Sequence, residues 1–490
     1  MLQFVIDTLS EKKPFVHYWE KCVGSCHAYT ALRRDYQEHL EKVHRECGFH
    51  YVRFHGLLDD DMSVAVRDHD SGEVRYCYFN LDTVFDFLLR IGMKPFIELG
   101  FMPSALASSG ATCFHYGGNI SPPADFDEWD ALIKDLVAHL IDRYGVPEVR
   151  SWFFEVWNEP NLSYFFEGDQ SDYFALYEHT AKAIKEVEPG LSVGGPATAL
   201  NAWIPQFTAY CRDNSVPLDF ISTHHYPSDD PLWRDDSLGM EDLLKIVKED
   251  GRVHYKRGVL KEMAGRAKRE AAGYPLYYTE WNSSAMIPDV LHDAPYNAAL
   301  VAKTIIDNQG LVDAYSFWTF TDIFEEKGQL AGEFHGGFGL QTVHGIPKPV
   351  YHAFYFLHKL GTVQLSVSEE QETVGMIATE QNDEIIIVAY NHHVIDMPIE
   401  IQDISLTVLH RLYGGAELLL ADETHGNAYH AWNEMGSPRY PRDAEIREML
   451  KAAQVAPVPL ATMGQNGNTA VSFSLPPHSV ALVRFHTKVR

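Results

Sequence analysis

The chain has 490 residues, 46% of them hydrophobic, enough for two or three domains with a sizeable core. Its 40 basic and 68 acidic residues give a formal charge of −28, which repels phosphate backbones and anionic lipids and so argues against nucleic acid and membrane partners. The lone Cys22-x3-Cys26 pair has no second pair to complete a zinc ribbon, so no metal or organic cofactor is expected, and the scattered thiols suit a reducing compartment.

The first strand-like piece, LQFVID (2–7), is expected to join a domain at the other end of the chain, and residues 1–13 are assigned there. Eight short runs follow, each apolar on both faces: 15–19, 51–56, 94–100, 151–159, 191–196, 219–226, 276–282 and 314–320. Amphipathic stretches alternate with them at 30–47, 82–92, 126–144, 171–188, 201–213, 258–272 and 296–310. Pro189-Gly190 and Gly273 stop two of these helices. Eight strands alternating with helices predict a (β/α)8 TIM barrel over residues 14–350. A doubly wound sheet is the rival, but the even count and the polar residues at strand ends favour the barrel. Beyond Pro347 and Pro349 the pattern becomes short alternating strands (VQLSVS, TVGMIAT, EIIIVAY, PIEIQ, SLTVLHRL, TAVSFSL, SVALVRFH). Residues 351–490 are therefore expected to form an antiparallel β-sandwich, with a helical excursion at 441–454.

Two apolar runs end in a carboxylate. FFEVW leads into Asn158-Glu159-Pro160, and LYY leads into Thr279-Glu280-Trp281-Asn282. These fall on the fourth and seventh strands, so both side chains can meet at the C-terminal mouth of a barrel, where barrel enzymes do their chemistry. Breaking a glycosidic bond with retention needs an acid on the leaving oxygen and a carboxylate at the anomeric carbon. Glu159 is expected to be the acid/base, its pKa raised by burial and a neighbouring charge, and Glu280 the nucleophile.

These motifs, with RFHGLLDDD (53–61), NISPP (119–123), VGGPA (193–197), FWTFTDIFEE (317–326), FHGGFGL (334–340) and IPKP (346–349), resemble glycoside hydrolase family 39 over nearly the whole chain, and its bacterial β-xylosidases most. The resemblance implies further sugar-binding residues: Arg53 and His55 after strand two, Phe114 in a pocket-shaping loop, and Asn158 on the 2-hydroxyl. It also implies His224, Tyr226 orienting Glu280, Trp318 as a floor for the ring, and Glu325 on sugar hydroxyls, with Glu326 beside it able to take that role. Each has a plain structural alternative: an internal ion pair with Glu98 or Glu155 for Arg53, a core histidine for His224, packing for Trp318.

The expected function is a retaining exo-β-xylosidase that removes xylose from the non-reducing ends of short, neutral xylo-oligosaccharides. The alternatives are the same mechanism on another glycoside (an α-L-arabinosidase, an iduronidase-like enzyme or an endo-glycanase) or, from another class, a carbohydrate-binding barrel without catalysis. MLQFVIDTLSEKK lacks a basic start followed by a long apolar core, so the cytoplasm is the expected location. The resemblance further implies a homo-oligomer to which the C-terminal domain contributes contacts.

Overall fold

The computed structural model describes residues 1–234, 240–328 and 331–487. Eight parallel strands close a barrel in chain order: β1 (Cys22–His27), β2 (Tyr51–His55), β3 (Lys94–Leu99), β4 (Phe153–Val156), β5 (Ser192–Thr198), β6 (Phe220–His224), β7 (Leu276–Trp281) and β8 (Ala314–Phe317). Phe317 beside Val23 makes the closure. The ring of helices is α1 (Arg34–Cys47), α2 (Phe79–Ile91), α3 (Phe126–Tyr144), α4 (Gln170–Val187), α5 (Ile204–Asp213), α6 (Val259–Glu270), α7 (Pro295–Asp307) and α8 (Pro349–His358). Local chemistry sets their ends. Asp125 caps α3 through Asp127 N–H, Asp169 and Asp172 form a capping box on α4, and Gly48 and Gly92 stop α1 and α2 at φ +81° and +86°.

The first barrel strand is not the aromatic run at 15–19. Tyr18–Glu20 form a 3-10 turn, where the Tyr18 hydroxyl donates to Ile305 O from 2.6 Å, and the strand is CVGSCH. That segment reads weakly as β because small residues are required there: a Cβ on Gly24 would lie 2.6 Å from Cε3 of Trp318. Helix α8 runs across position 350 and packs against α1 and α7.

The second domain is a two-layer β-sandwich. Strand Leu2–Asp7 joins its layers, antiparallel to Val363–Val367 and parallel to Gln402–Leu409. Its remaining pairings are antiparallel. Phe4, Ile6, Ile387, Leu406, Val471 and Val483 fill the space between the layers. The outer face of one layer, with Ile386, Val388 and Leu482, shares a core with the barrel and packs on α7. One local expectation differs from what forms, and one strand is not anticipated by the sequence. PIEIQ (398–402) is strand only from Gln402 onward, and Gly415–Ala421, whose Ala, Glu and Leu favour helix, is a strand paired with Ser479–His486. The helical excursion is Asp443–Ala452. No helix among the described residues is long and apolar enough to cross a membrane.

One buried ion cluster ties the barrel mouth together. Lys348, just before α8, lies 2.7 Å from both Asp293 and Asp322, in the loops after β7 and β8, and donates to Gly337 O from 2.9 Å. All three side chains are almost wholly excluded from solvent. Removing one partner of a buried ion pair costs about 3–5 kcal/mol, because the charges left behind are uncompensated. Lys348→Ala is therefore expected to lower the thermal unfolding midpoint clearly. An unchanged midpoint would show that this cluster does not hold the mouth loops.

Candidate active site

The barrel interior is built in layers two residues apart, as strand geometry requires. Tyr51, Phe96, Phe153, Phe220 and Tyr277 close the bottom, with Phe96 on Phe153 at 5.3 Å and Phe220 on Tyr277 at 4.9 Å. Two residues further along the same strands come Arg53, Glu98, Glu155, Ser222 and Thr279, all buried. Two more bring His55 and His224 to the mouth. The apolar floor keeps water from entering below, so the charged layer must satisfy itself from within.

Arg53 does this. Its Nε donates to Glu155 from 2.5 Å, its Nη1 to Glu280 from 2.9 Å, and its Nη2 to Asn158 Oδ1 from 2.9 Å, with Glu98 also 2.9 Å from Nη2. The ion pairs with Glu98 and Glu155 that the sequence offered as an alternative thus coexist with the contact to Glu280. The surrounding carboxylates raise the Arg53 pKa further, against the cost of burial.

Glu280 reaches the site through an irregularity. Thr223 pairs with Tyr278 and His224 with Glu280, so β7 carries one extra residue, Thr279. Such a bulge re-aims a side chain next to it. Thr279 and Glu280 consequently both face inward: Thr279 donates to Glu155 from 2.8 Å, and Glu280 accepts from Arg53 and, at 3.0 Å, from the Tyr226 hydroxyl. Glu159 arrives differently. The chain leaves β4 with Trp157 and Glu159 at φ +70° and +45°, and Glu159 N–H donates to Ala197 O from 2.8 Å. Non-glycine residues held there are strained, and strain of this kind gathers at functional sites.

His224 stands between the two carboxylates. Its Nδ1 lies 2.9 Å from Glu159 and 3.7 Å from Glu280. Glu159, His224 and Glu280 each present one atom, and the three lie within 4.8 Å of one another. Among the described residues this is the grouping whose spacing could hold a metal ion. His224 is hydrogen-bonded to Glu159, while Glu280 is held by Arg53 and Tyr226. Oxygens of Glu159 and Glu280 this close suit the narrow spacing of a retaining glycosidase, roughly 5–5.5 Å, better than the roughly 6.5–9.5 Å of an inverting one.

Burial, reinforced by Glu98 and opposed by Arg53, pushes the Glu159 carboxyl up to about 7. Burial likewise raises Glu98 to about 8 and lowers His55 to about 3, and it lowers His224. The site therefore contains a carboxyl able to hold a proton near neutrality beside one gripped by a cation and a phenol.

The other expected residues divide. His55 sits 2.8 Å from Glu98 and 3.5 Å from Glu280, and Trp318 packs on it at 4.7 Å between ring centres. Phe114, at φ +56°, flanks His55 at 6.2 Å. Asn158 turns its oxygen to Arg53, which leaves its amide to donate elsewhere. Glu325, expected on sugar hydroxyls, is partly exposed and lies 3.2 Å from Arg33. Glu326 lies 3.8 Å from His55, with a buried oxygen that has no hydrogen-bond partner among the described residues and a pKa raised by burial and by Glu280 and Glu159. Glu98, Glu155 and Thr279 complete the site, and the period-two spacing from Phe96, Phe153 and Tyr277 is the signal that marks them.

The model of the family described as glycosyl hydrolases family 39 matches residues 2–468. The chain belongs to this family. As a family 39 enzyme it is 48% identical to a β-xylosidase of Caldicellulosiruptor saccharolyticus, over 95% of this chain and 94% of that one. It is 36% identical to a β-xylosidase of Geobacillus stearothermophilus, over 96% and 93% of the two chains. Its structure resembles that of a monomeric β-xylosidase from Caulobacter crescentus with a TM-score of 0.88 and 31% identity, over 99% of this chain and 100% of that one. The enzyme is thus a glycoside hydrolase with a barrel and an accessory sandwich, acting on oligosaccharide substrates.

A lysine cannot reproduce the planar fork that serves four acceptors at position 53. In this family 39 enzyme, Arg53→Lys is expected to lower kcat/KM on an aryl glycoside by about 100-fold or more, the order of loss when a site donor is removed. Unchanged kcat/KM would show that the fork does not shape the site.

Proposed function

We propose that the protein is a retaining exo-β-xylosidase, with Glu159 as acid/base and Glu280 as nucleophile. The observation that carries this is the pairing of two carboxyls within 4.8 Å, one with its pKa raised to about 7 and the other fixed by Arg53 and Tyr226. Glu280 attacks the anomeric carbon while Glu159 gives its proton to the leaving oxygen. The negative charge of Glu280 is lost in the ester, and Glu159, now ionised, takes a proton from the water that releases the sugar. Asn158, His55, Trp318 and Phe114 bind the ring, and Glu326, rather than Glu325, accepts from its hydroxyls.

The substrate class follows from charge and space. Arg53 is occupied by internal partners and is not offered to a uronate carboxylate, and Glu280 lies beside it, which favours a neutral sugar. His55, Trp318 and Phe114 crowd one end, which suits a ring without an exocyclic arm. The two relatives named above as β-xylosidases support the same sugar. Six free cysteines, five of them buried, fit a reducing interior and hence the cytoplasm.

Hydrolysis of aryl β-xyloside, α-arabinofuranoside and β-glucoside by the purified protein tests the substrate. The xyloside should be turned over with the highest kcat/KM, and no turnover of it would sink this reading. Roles are tested separately. Glu280→Ala should lose nearly all activity and regain part of it with azide, yielding a glycosyl azide of inverted configuration. Glu159→Ala should keep activity only on substrates with good leaving groups. A retained azide product, or equal losses for good and poor leaving groups, would reverse or abolish the assignment.

A further inference from the structure

We propose that Glu155 and Thr279 position the acid proton on Glu159, acting through His224. The Thr279 hydroxyl has one proton and two close neighbours, Glu155 Oε1 at 2.8 Å and His224 Nε2 at 3.1 Å. The other oxygen of Glu155 accepts from Arg53 Nε at 2.5 Å. A carboxylate facing a guanidinium accepts on both oxygens. Thr279 therefore donates to Glu155, and its oxygen accepts from His224 Nε2–H.

This fixes the imidazole. Burial favours the neutral form of His224, and a neutral ring protonated at Nε2 has a lone pair at Nδ1. That lone pair faces Glu159 Oε1 at 2.9 Å. A hydrogen bond forms there only when Glu159 is protonated and donates. The chain thus runs in one direction, from the Glu159 O–H to His224, from His224 to Thr279, and from Thr279 to Glu155, and Arg53 sets that direction. The same lone pair serves the second half of the reaction. Once Glu159 has lost its proton, His224 offers it no donor, so the carboxylate stays basic and takes the proton from water.

Other groups face this pair. Arg53 favours the ionised form of Glu159 and Glu98 the protonated form, and Glu280, Glu326, Asp229 and Tyr226 also face it. His225 flanks His224 and is itself held neutral by burial. Burial exceeds the effect of Arg53 on Glu159, and the relay adds to it by removing His224 as a donor to the anion.

Glu155, Thr279 and His224 are positioning residues here, and the proposal rests on Glu159 as acid/base. Two readouts test it. Nitrogen-15 NMR of wild-type protein near pH 6 should show His224 neutral and protonated at Nε2. In Thr279→Val, which keeps the shape and loses the hydroxyl, His224 can turn its proton to Nδ1 and donate to the Glu159 carboxylate. The basic limb of the kcat/KM profile on aryl β-xyloside should then move down by roughly one pH unit. Thr279→Ser should restore it. His224 protonated at Nδ1 in the wild type, or an unmoved basic limb in Thr279→Val, would overturn the proposal. The tautomer is read without substrate, so a failure of the β-xyloside reading leaves that arm decisive.

Discussion

The barrel centre depends on one guanidinium. Arg53 is wholly buried and is the common partner of Glu98, Glu155, Glu280 and Asn158, contributed by β3, β4, β7 and the turn after β4. Each carboxyl would be costly to bury alone. Together, around a planar fork of donors, they stand as a fixed layer above an aromatic floor. The geometry of both candidate catalytic carboxyls follows from this layer. Glu280 is held by it directly, and Glu159 through the chain of Glu155, Thr279 and His224.

The layer also separates the properties of two chemically identical side chains. Glu280 faces a cation and a phenol. Glu159 lies farther from Arg53, meets an imidazole, and feels burial most. Pushing the two environments apart in this way lets one carboxyl carry a proton and the other attack. The bulge at Thr279 makes it possible, because a regular strand would turn either Thr279 or Glu280 away from the barrel.

The barrel, the sandwich and the glutamate pair were legible because they rest on periodicity and on a carboxylate placed at the end of an apolar run. Other features were not, for physical reasons. The first strand, CVGSCH, is poor in β-formers because Gly24 must admit Trp318. The strand Gly415–Ala421 is rich in helix-formers and is decided by pairing with Ser479–His486. Glu325 and Glu326 are neighbours in one turn, and only the contact of Glu325 with Arg33 tells which of them turns inward. The role of Thr279 depends on a bulge and on the direction of hydrogen bonds, neither of which has a sequence signal.

With oxygens within 4.8 Å of each other, Glu159 and Glu280 are placed for double displacement rather than direct attack by water. The most direct measurement is proton NMR of the first sugar released from an aryl β-xyloside, recorded before mutarotation. β-Xylose is expected as the initial product, with the α-anomer appearing only later. α-Xylose as the first product would mean direct attack by water and would contradict double displacement.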